Sequence, residues 1–255
     1  MTDLRVQITR GVAAIVIDRP HARNALALGT MAEIDDALTQ IERSKARVIV
    51  IRGDGDKAFC AGGDLKELEH MRSADDAAGM ATRMRATLDR ITATRLPVIG
   101  AINGDAFGGG AELALACDFR IAAAHARLGF TQISLGLMPA WGASERLAAL
   151  VGRGRALHML LTGRVFTAPE ALDAGLVEEV VESAGFDRRV AAVAASIAAA
   201  SPVAAQGIKR SVDAVRPHRH PELAETAIDT FTRTWTAPAH WRAVELMEKL
   251  RKKKR

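Results

Sequence analysis

The sequence predicts an α/β body followed by an all-helical C-terminal region, and three observations carry that prediction. Short runs rich in β-branched residues alternate with segments of helical period through the first two thirds of the chain. Glycine clusters stand where such runs pass into helices. From Phe186 onward the helical period continues almost without interruption.

The elements follow in order. Leu4–Thr9 and Val12–Asp18 are extended segments separated by Arg10-Gly11, the pattern of a hairpin. Arg19-Pro20-His21-Ala22-Arg23-Asn24 interrupts it. Met31, Ile34, Leu38 and Ile41 then recur at helical spacing before Val48-Ile49-Val50-Ile51 returns as a buried strand, which makes a crossover unit. Gly53-Asp54-Gly55-Asp56 is a turn, and Phe59–Asp64 leads into another helix. A helix is predicted from about Asp75 to Thr94, stopping before Pro97 because the residue preceding proline disfavours helix.

Val98–Ile102 reads as an apolar strand running into Asn103-Gly104-Asp105-Ala106-Phe107-Gly108-Gly109-Gly110. Ala111–Cys117 follows as a buried helix and Asp118–Ala122 as a strand. Thr167-x-x-Glu170, with Pro169 inside it, is a capping box. Ala191–Ala200 is helical, Ser201-Pro202 is a cap and first-turn pair for a helix to about Val215, and two more helices start after Pro221 and Pro238. Strand–strand–helix units recur loosely. The chain divides into an α/β core, residues 1–199, and a helical region with a basic tail, residues 200–255.

A chain of 255 residues is ample for a buried core without disulfide or metal staples. With 49% hydrophobic and 25% charged residues it is no disordered chain, collagen or coiled-coil rod. Aromatic residues make up 4% and tyrosine is absent, which excludes phenol chemistry and argues against an RNA reader that stacks bases on surface rings. The formal charge of +5 is concentrated: Arg251–Arg255 are all cationic, and without them 30 basic face 30 acidic side chains. Cys60 and Cys117 fit no metal or redox spacing and read as reduced structural thiols. The first residues lack an apolar signal core, and no run of 18 apolar residues occurs. A soluble, unprocessed cytoplasmic protein without membrane contact is expected.

Gly-rich turns between strand and helix can present backbone N–H groups to an oxyanion or phosphate. Neither cluster here spells Gly-x-Gly-x-x-Gly, and no Gly-Lys-Ser/Thr follows, so nucleotide-phosphate binding is not expected. There is no Gly-x-Ser-x-Gly elbow and no His-Glu-x-x-His pair. His218-Arg219-His220 reads as a surface turn, and His21, His70, His125, His158 and His240 as surface or helix-end residues. No metal site is expected. What remains is Glu112, at the start of an apolar helix behind three glycines. The helix terminus favours its anion and the apolar surroundings its neutral acid, opposed pressures that suit a proton-transfer group. A first-turn glutamate can equally serve the helix dipole alone, but three adjacent glycines each cost backbone entropy unless something approaches closely.

Ala58-Phe59-Cys60-Ala61-Gly62-Gly63-Asp64-Leu65-Lys66-Glu67 and Ala101–Asp118 resemble the enoyl-CoA hydratase/isomerase, or crotonase, superfamily. The likeness continues through Asp18-Arg19-Pro20-x-Ala22-Arg23-Asn24-Ala25-Leu26, Leu135–Pro139, Leu161-Thr162-Gly163 and Ala171–Val177. The resemblance implies a spiral of strand–strand–helix (ββα) units with a C-terminal helical trimerisation region. It implies an acyl-CoA substrate, with coenzyme A as part of the substrate and no separate cofactor, and a homotrimer or dimer of trimers. It places two backbone oxyanion donors at Gly63 and Gly109 and a catalytic carboxyl at Glu112. Substrate contacts are implied at Ala22, Ala61, Asp64, Leu65 and Lys66, with a terminal-helix cation, matched here by Lys249, reaching the CoA phosphate of a neighbouring subunit.

Hydratases of this superfamily use a second glutamate, and the matching position here is Gln132. An amide orients a hydroxyl but accepts no proton at neutral pH. Enoyl-CoA hydratase is the nearest named activity, with alkylmalonyl-CoA decarboxylation or enoyl-CoA isomerisation as one-carboxylate alternatives. Trp141, in Pro139-Ala140-Trp141-Gly142, resembles the decarboxylase branch and reads equally as acyl-pocket wall or core. Glu145 replaces the missing carboxylate only if its side chain faces the pocket. RNA binding through the basic tail and non-catalytic acyl-CoA binding are the readings from other classes. The neutral body argues against a nucleic-acid partner.

Overall fold

The computed structural model describes residues 2–214 and 221–253. Strands β1 (Leu4–Thr9) and β2 (Val12–Ile17) form the expected antiparallel hairpin, turning through Arg10 and Gly11 at positive φ. Helix α1 (Leu28–Glu42) buries Met31, Ile34, Leu38 and Ile41 and crosses to β3 (Val48–Gly53), parallel to β2. The chain then lays down β4 (Ala58–Cys60), the one-turn α2 (Leu65–Leu68) and α3 (Ala74–Ala93). Two similar passes follow. They are β5 (Val98–Ile102), β6 (Asp105–Phe107) and α4 (Gly109–Ala116), then β7 (Phe119–Ala123), β8 (Arg127–Gly129), a 3-10 turn at Thr131–Leu135, α5 (Ala143–Val151) and α6 (Arg153–Thr162). The body ends with β9 (Val165–Thr167), α7 (Ala168–Asp173), β10 (Glu179–Val181) and α8 (Phe186–Ala199).

Each pass contributes one strand to each of two sheets and then a helix. The larger sheet has the order β1-β2-β3-β5-β7-β10 and is parallel apart from its first pair; the smaller is β4-β6-β8-β9, parallel until β9 turns back. Buried Asn side chains tie the two sheets at their corners. Asn103 exchanges hydrogen bonds with Gly53 N and O (3.0 and 2.9 Å) and donates to Gly55 O (2.7 Å), while Asn24 donates to Ala58 O at 2.7 Å. A Cβ at Gly53 would fall 2.3 Å from the Ala58 carbonyl oxygen and one at Gly104 2.6 Å from the Ala58 nitrogen, so glycine lets the backbones meet there while the two Asn amides satisfy the buried backbone groups.

The C-terminal region consists of α9 (Pro202–Asp213), α10 (Pro221–Trp235) and α11 (Pro238–Lys253). Ser201 caps α9 as its sequence predicts, and Thr167 with Glu170 forms the capping box of α7. Helix α10 packs along α3, and the Trp235 indole donates to Met71 O at 2.6 Å. His240 is at a helix end but not at the surface. It stands at the start of α11 but is wholly buried, stacked on Trp235 with its Nδ1 2.8 Å from Leu135 O, and burial lowers its pKa. The other expected surface histidines, His21, His70, His125 and His158, are exposed, and His218 and His220 lie outside the described residues. Cys60 and Cys117 are buried free thiols whose pKa burial pushes up to about 12. No single helix among the described residues is long and apolar enough to cross a membrane, and no metal-binding cluster occurs among them.

Candidate active site

Strands β4 and β6 are parallel neighbours, so the two glycine turns that follow them emerge side by side. A Cβ added to Gly62, at φ +104°, would lie 3.4 Å from the Gly109 nitrogen. On the other flank, residues 22–26 pair with 61–64: Leu26 N donates to Gly62 O (2.8 Å) and Asp64 N to Leu26 O (2.9 Å). That parallel bridge uses the groups on either side of Gly63 and leaves the Gly63 N–H out of the ladder. Gly109 is the first residue of α4, so no carbonyl one turn back in the helix can take its N–H. The two turns thus offer one backbone donor each.

The structure gives the three consecutive glycines three separate causes. Gly108 has φ +54° and ψ −119°, a conformation that side chains rarely adopt. At Gly109 an added Cβ would fall 1.9 Å from the Trp141 ring, and at Gly110 it would fall 1.9 Å from the Cys60 carbonyl oxygen. The close approach inferred from sequence is therefore met, for two of the three, by the protein's own indole and strand.

Helix α4 starts at Gly109, two residues before the predicted start, which places Glu112 at its fourth residue. Glu112 Oε1 accepts from Gln132 Nε2 (2.9 Å), and its Oε2 accepts from the backbone N–H of Trp141 (2.9 Å) and of Ala143 (3.0 Å). The residue is 2% exposed. Burial pushes its pKa up to about 7, against the lowering effect of the Ala143 N–H, the Arg146 charge, the Trp141 N–H and the Gln132 amide. A carboxyl so placed exchanges a proton near neutral pH, because desolvation is set against hydrogen bonding and the Arg146 charge.

Gln132 lies in the 3-10 turn Thr131–Leu135 and is buried; its Oε1 has no hydrogen-bond partner among the described residues. Trp141 is 6% exposed, its indole packed against Gly109 and, at 3.5 Å from an added Cβ, against Gly63. Its ring therefore lies beside both glycines, while its backbone N–H reaches the Glu112 carboxyl. Glu145 is ion-paired with Arg85 on α3, so its carboxylate is committed there. The donors at 141–143 were missed in the sequence. Their residue types carry no signal, because the donors are backbone N–H groups; only the structure shows Gly142 turning between them at φ +105°.

Of the implied substrate contacts, Ala22 and Ala61 come together, joined through Ala61 N to Arg23 O at 3.1 Å. Arg23 and Asn24 both hold positive φ at this turn. Asp64 is partly engaged: its Oδ1 accepts from Lys66 N to cap α2, and its Oδ2 pairs with Arg19 at 2.9 Å. Leu65 is half-buried and Lys66 exposed beside it. Lys249 is exposed near the end of α11. Two surface cavities lie elsewhere. One of about 360 Å³ sits between α3 and α10, and one of about 680 Å³ is lined by Arg52, Lys57 and His125; neither includes Glu112.

Residues 7–252 match the family model described as enoyl-CoA hydratase/isomerase. The chain belongs to that family. It is 36% identical over 203 residues to the short-chain-enoyl-CoA hydratase of Clostridium acetobutylicum, covering 79% of this chain and 77% of that one. It is 42% identical over 172 residues to the crotonyl-CoA hydratase of Syntrophomonas wolfei, covering 67% and 66%. Among solved structures, an enoyl-CoA hydratase from Bacillus anthracis superposes with a TM-score of 0.82 at 34% identity, over 98% of this chain and 96% of the other. The expected superfamily and the α/β fold with its C-terminal helical region are thus borne out, and the chain is an enzyme of the enoyl-CoA hydratase/isomerase family.

Proposed function

We propose that the enzyme acts on acyl-CoA thioesters through an enolate, with enoyl-CoA hydration as its nearest named activity. The Gly63 and Gly109 N–H groups bind the thioester oxygen. As charge develops on that oxygen, each donor contributes roughly 2.7–4 kcal/mol of transition-state stabilisation. Glu112 moves the proton, and a pKa near 7 lets it both accept and return one. The observation that carries this reading is Glu112 itself: buried, aimed by three donors, and set beside the paired glycine turns. In hydration, the partnerless Oε1 of Gln132 accepts a hydrogen bond from the attacking water while Glu112 takes the water's other proton.

A second reading rests on the same amide. With Gln132 in place of a second carboxyl, one acid must both remove and deliver protons. Double-bond isomerisation needs nothing more, and decarboxylation of an alkylmalonyl thioester needs only a quench of the enolate. The CoA moiety runs along residues 22–26 and 61–66, with Lys249 of a neighbouring subunit near its phosphates, in a trimer or a pair of trimers; the last two residues of the basic tail lie outside the described residues.

Incubation with 2-enoyl, 3-enoyl and alkylmalonyl CoA thioesters followed by mass spectrometry separates the readings. A gain of water is expected from the 2-enoyl substrate. Loss of carbon dioxide or an unchanged mass with a shifted double bond would select the one-carboxylate alternatives, and no change in any substrate would sink the enzyme reading of Glu112.

A further inference from the structure

Behind Glu112 lies a half-buried charged group that the proposed chemistry does not use. Helix α5 carries Glu145 and Arg146, and α3 carries Arg85 and Asp89. Arg146 Nη1 donates to the Trp141 carbonyl at 2.6 Å and Nη2 to Asp89 Oδ1 at 2.5 Å. Arg85 pairs with Glu145 and stands 3.9 Å from Asp89. Both arginine side chains are only 12% exposed. Two cations balance two anions, so the group does not call for a bound ion. It supports a turn instead. The residue whose carbonyl Arg146 holds is the one whose N–H donates to Glu112, and the next donor, Ala143, is two residues on. Gly142 between them leaves the space: a Cβ there would fall 2.1 Å from Arg146 Nη1.

We propose that Arg146 is a positioning residue: braced by Asp89, it fixes the Trp141 carbonyl and so aims the N–H groups of residues 141 and 143 at the Glu112 carboxylate. The proposal rests on Glu112 as the proton-transfer group. A guanidinium suits the task because its planar fork serves a carbonyl and a carboxylate at once, which an ammonium does not. The groups that face Glu112 are Arg146 from α5 and the neutral Gln132 from the 3-10 turn, with Arg85, Asp89 and Glu145 beyond Arg146. Loss of the fork removes a cation and loosens two donors. Both changes favour the protonated acid.

The test is a carbon-13 NMR titration of the full-length chain labelled at glutamate carboxyls, the Glu112 signal being assigned by its absence in Glu112→Gln. Arg146→Met should raise the proton affinity of Glu112 by roughly threefold or more, and Arg146→Lys by less. Because lysine keeps the charge, a shift in Arg146→Lys reports the geometry. It should be accompanied by a lower kcat on the turned-over thioester at unchanged KM. If Arg146→Met does not fold, Arg146→Lys decides alone. A folded Arg146→Lys with the wild-type titration midpoint would overturn the proposal, including the case in which only Arg146→Met shifts. A shifted midpoint in a protein that turns over no thioester would uphold the positioning role and reject the proposed activity instead.

Discussion

Gln132 donates a 2.9 Å hydrogen bond to Glu112 from one end of its amide and leaves the other end buried without a partner among the described residues. Replacing that amide with a second carboxyl, Gln132→Glu, sets two acids within hydrogen-bond reach. They are expected to share one proton and to titrate in two steps that belong to the pair. If hydration is limited by having one acid for two proton transfers, the variant should raise kcat for 2-enoyl-CoA hydration by roughly tenfold or more. The decline of the conjugated thioester absorbance measures this across pH. A variant no faster than the wild type would show that Gln132 does not restrict the reaction.

Glu112 also ties stability to pH. Its pKa rises from 4.5 to about 7 on folding, so the folded state holds the proton more tightly than the unfolded chain. Below pH 4.5 both states are protonated and the group costs nothing. Between 4.5 and 7 the cost grows, and above 7 it is constant at roughly 3 kcal/mol. Glu112→Gln should therefore unfold at higher urea concentration than the wild type at pH 8, with the advantage fading toward pH 4.5. The new amide keeps its oxygen on Trp141 N and Ala143 N, and a flip of Gln132 lets its free Oε1 accept the new NH₂. Turnover should fall by about 10²–10⁴-fold in the same variant. An advantage independent of pH would mean that the Glu112 pKa is the same in the folded and the unfolded chain.

Much of this was legible in the chain, and the exceptions have physical causes. The long strands of the larger sheet and helices such as α3 repeat their apolar period often enough to be read directly. Strands β4, β6 and β8 have three residues each and show no period; Asp105–Phe107 reads as part of a glycine turn because only its neighbours in the smaller sheet make it a strand. Glu112 was legible from its glycines and apolar flank. Its donors were not, because Trp141 and Ala143 act through backbone N–H groups that any residue carries. Arg146 looks like an exposed-face arginine until Asp89, 57 residues away, is folded against it. The burial of His240, a helix-end residue as its sequence position suggests, is not legible because its aromatic partner Trp235 becomes a neighbour only when the α10–α11 corner closes.

Helix α9 has no buried residue within the single chain, although it is strongly two-sided. Lys209 on its inner side reaches Asp118 at 2.7 Å, while Ile208 and Val212, one turn apart, are 66% and 58% exposed. An apolar pair left outside a structured helix fits the proposed assembly of identical chains. Ile208→Asp combined with Val212→Asp should shift the sedimentation coefficient from trimer or hexamer toward monomer, with the circular dichroism of the fold retained. An unchanged coefficient would place the subunit interface on other surfaces, such as α6 with its exposed Leu157 and Leu161.

Trp141 sets the size of whatever lies beside the two backbone donors. Its ring carbons would sit 1.9 Å from a Cβ at Gly109 and 3.5 Å from one at Gly63, so the indole occupies the space beside the two glycines that the proposed function assigns to the thioester and its acyl chain. Trp141→Ala removes a buried ring and should destabilise the fold by about 3–5 kcal/mol. It leaves the residue's N–H on Glu112, since that donor belongs to the backbone. The Glu112 chemistry should therefore persist while selectivity changes. Each extra methylene that the enlarged pocket buries is worth roughly 1–3 kcal/mol of discrimination, so kcat/KM for longer or branched acyl chains should rise at least about fivefold relative to the four-carbon substrate. Chain-length profiles of the two proteins at one pH measure the effect. Parallel profiles would assign Trp141 to packing of the α4 terminus alone.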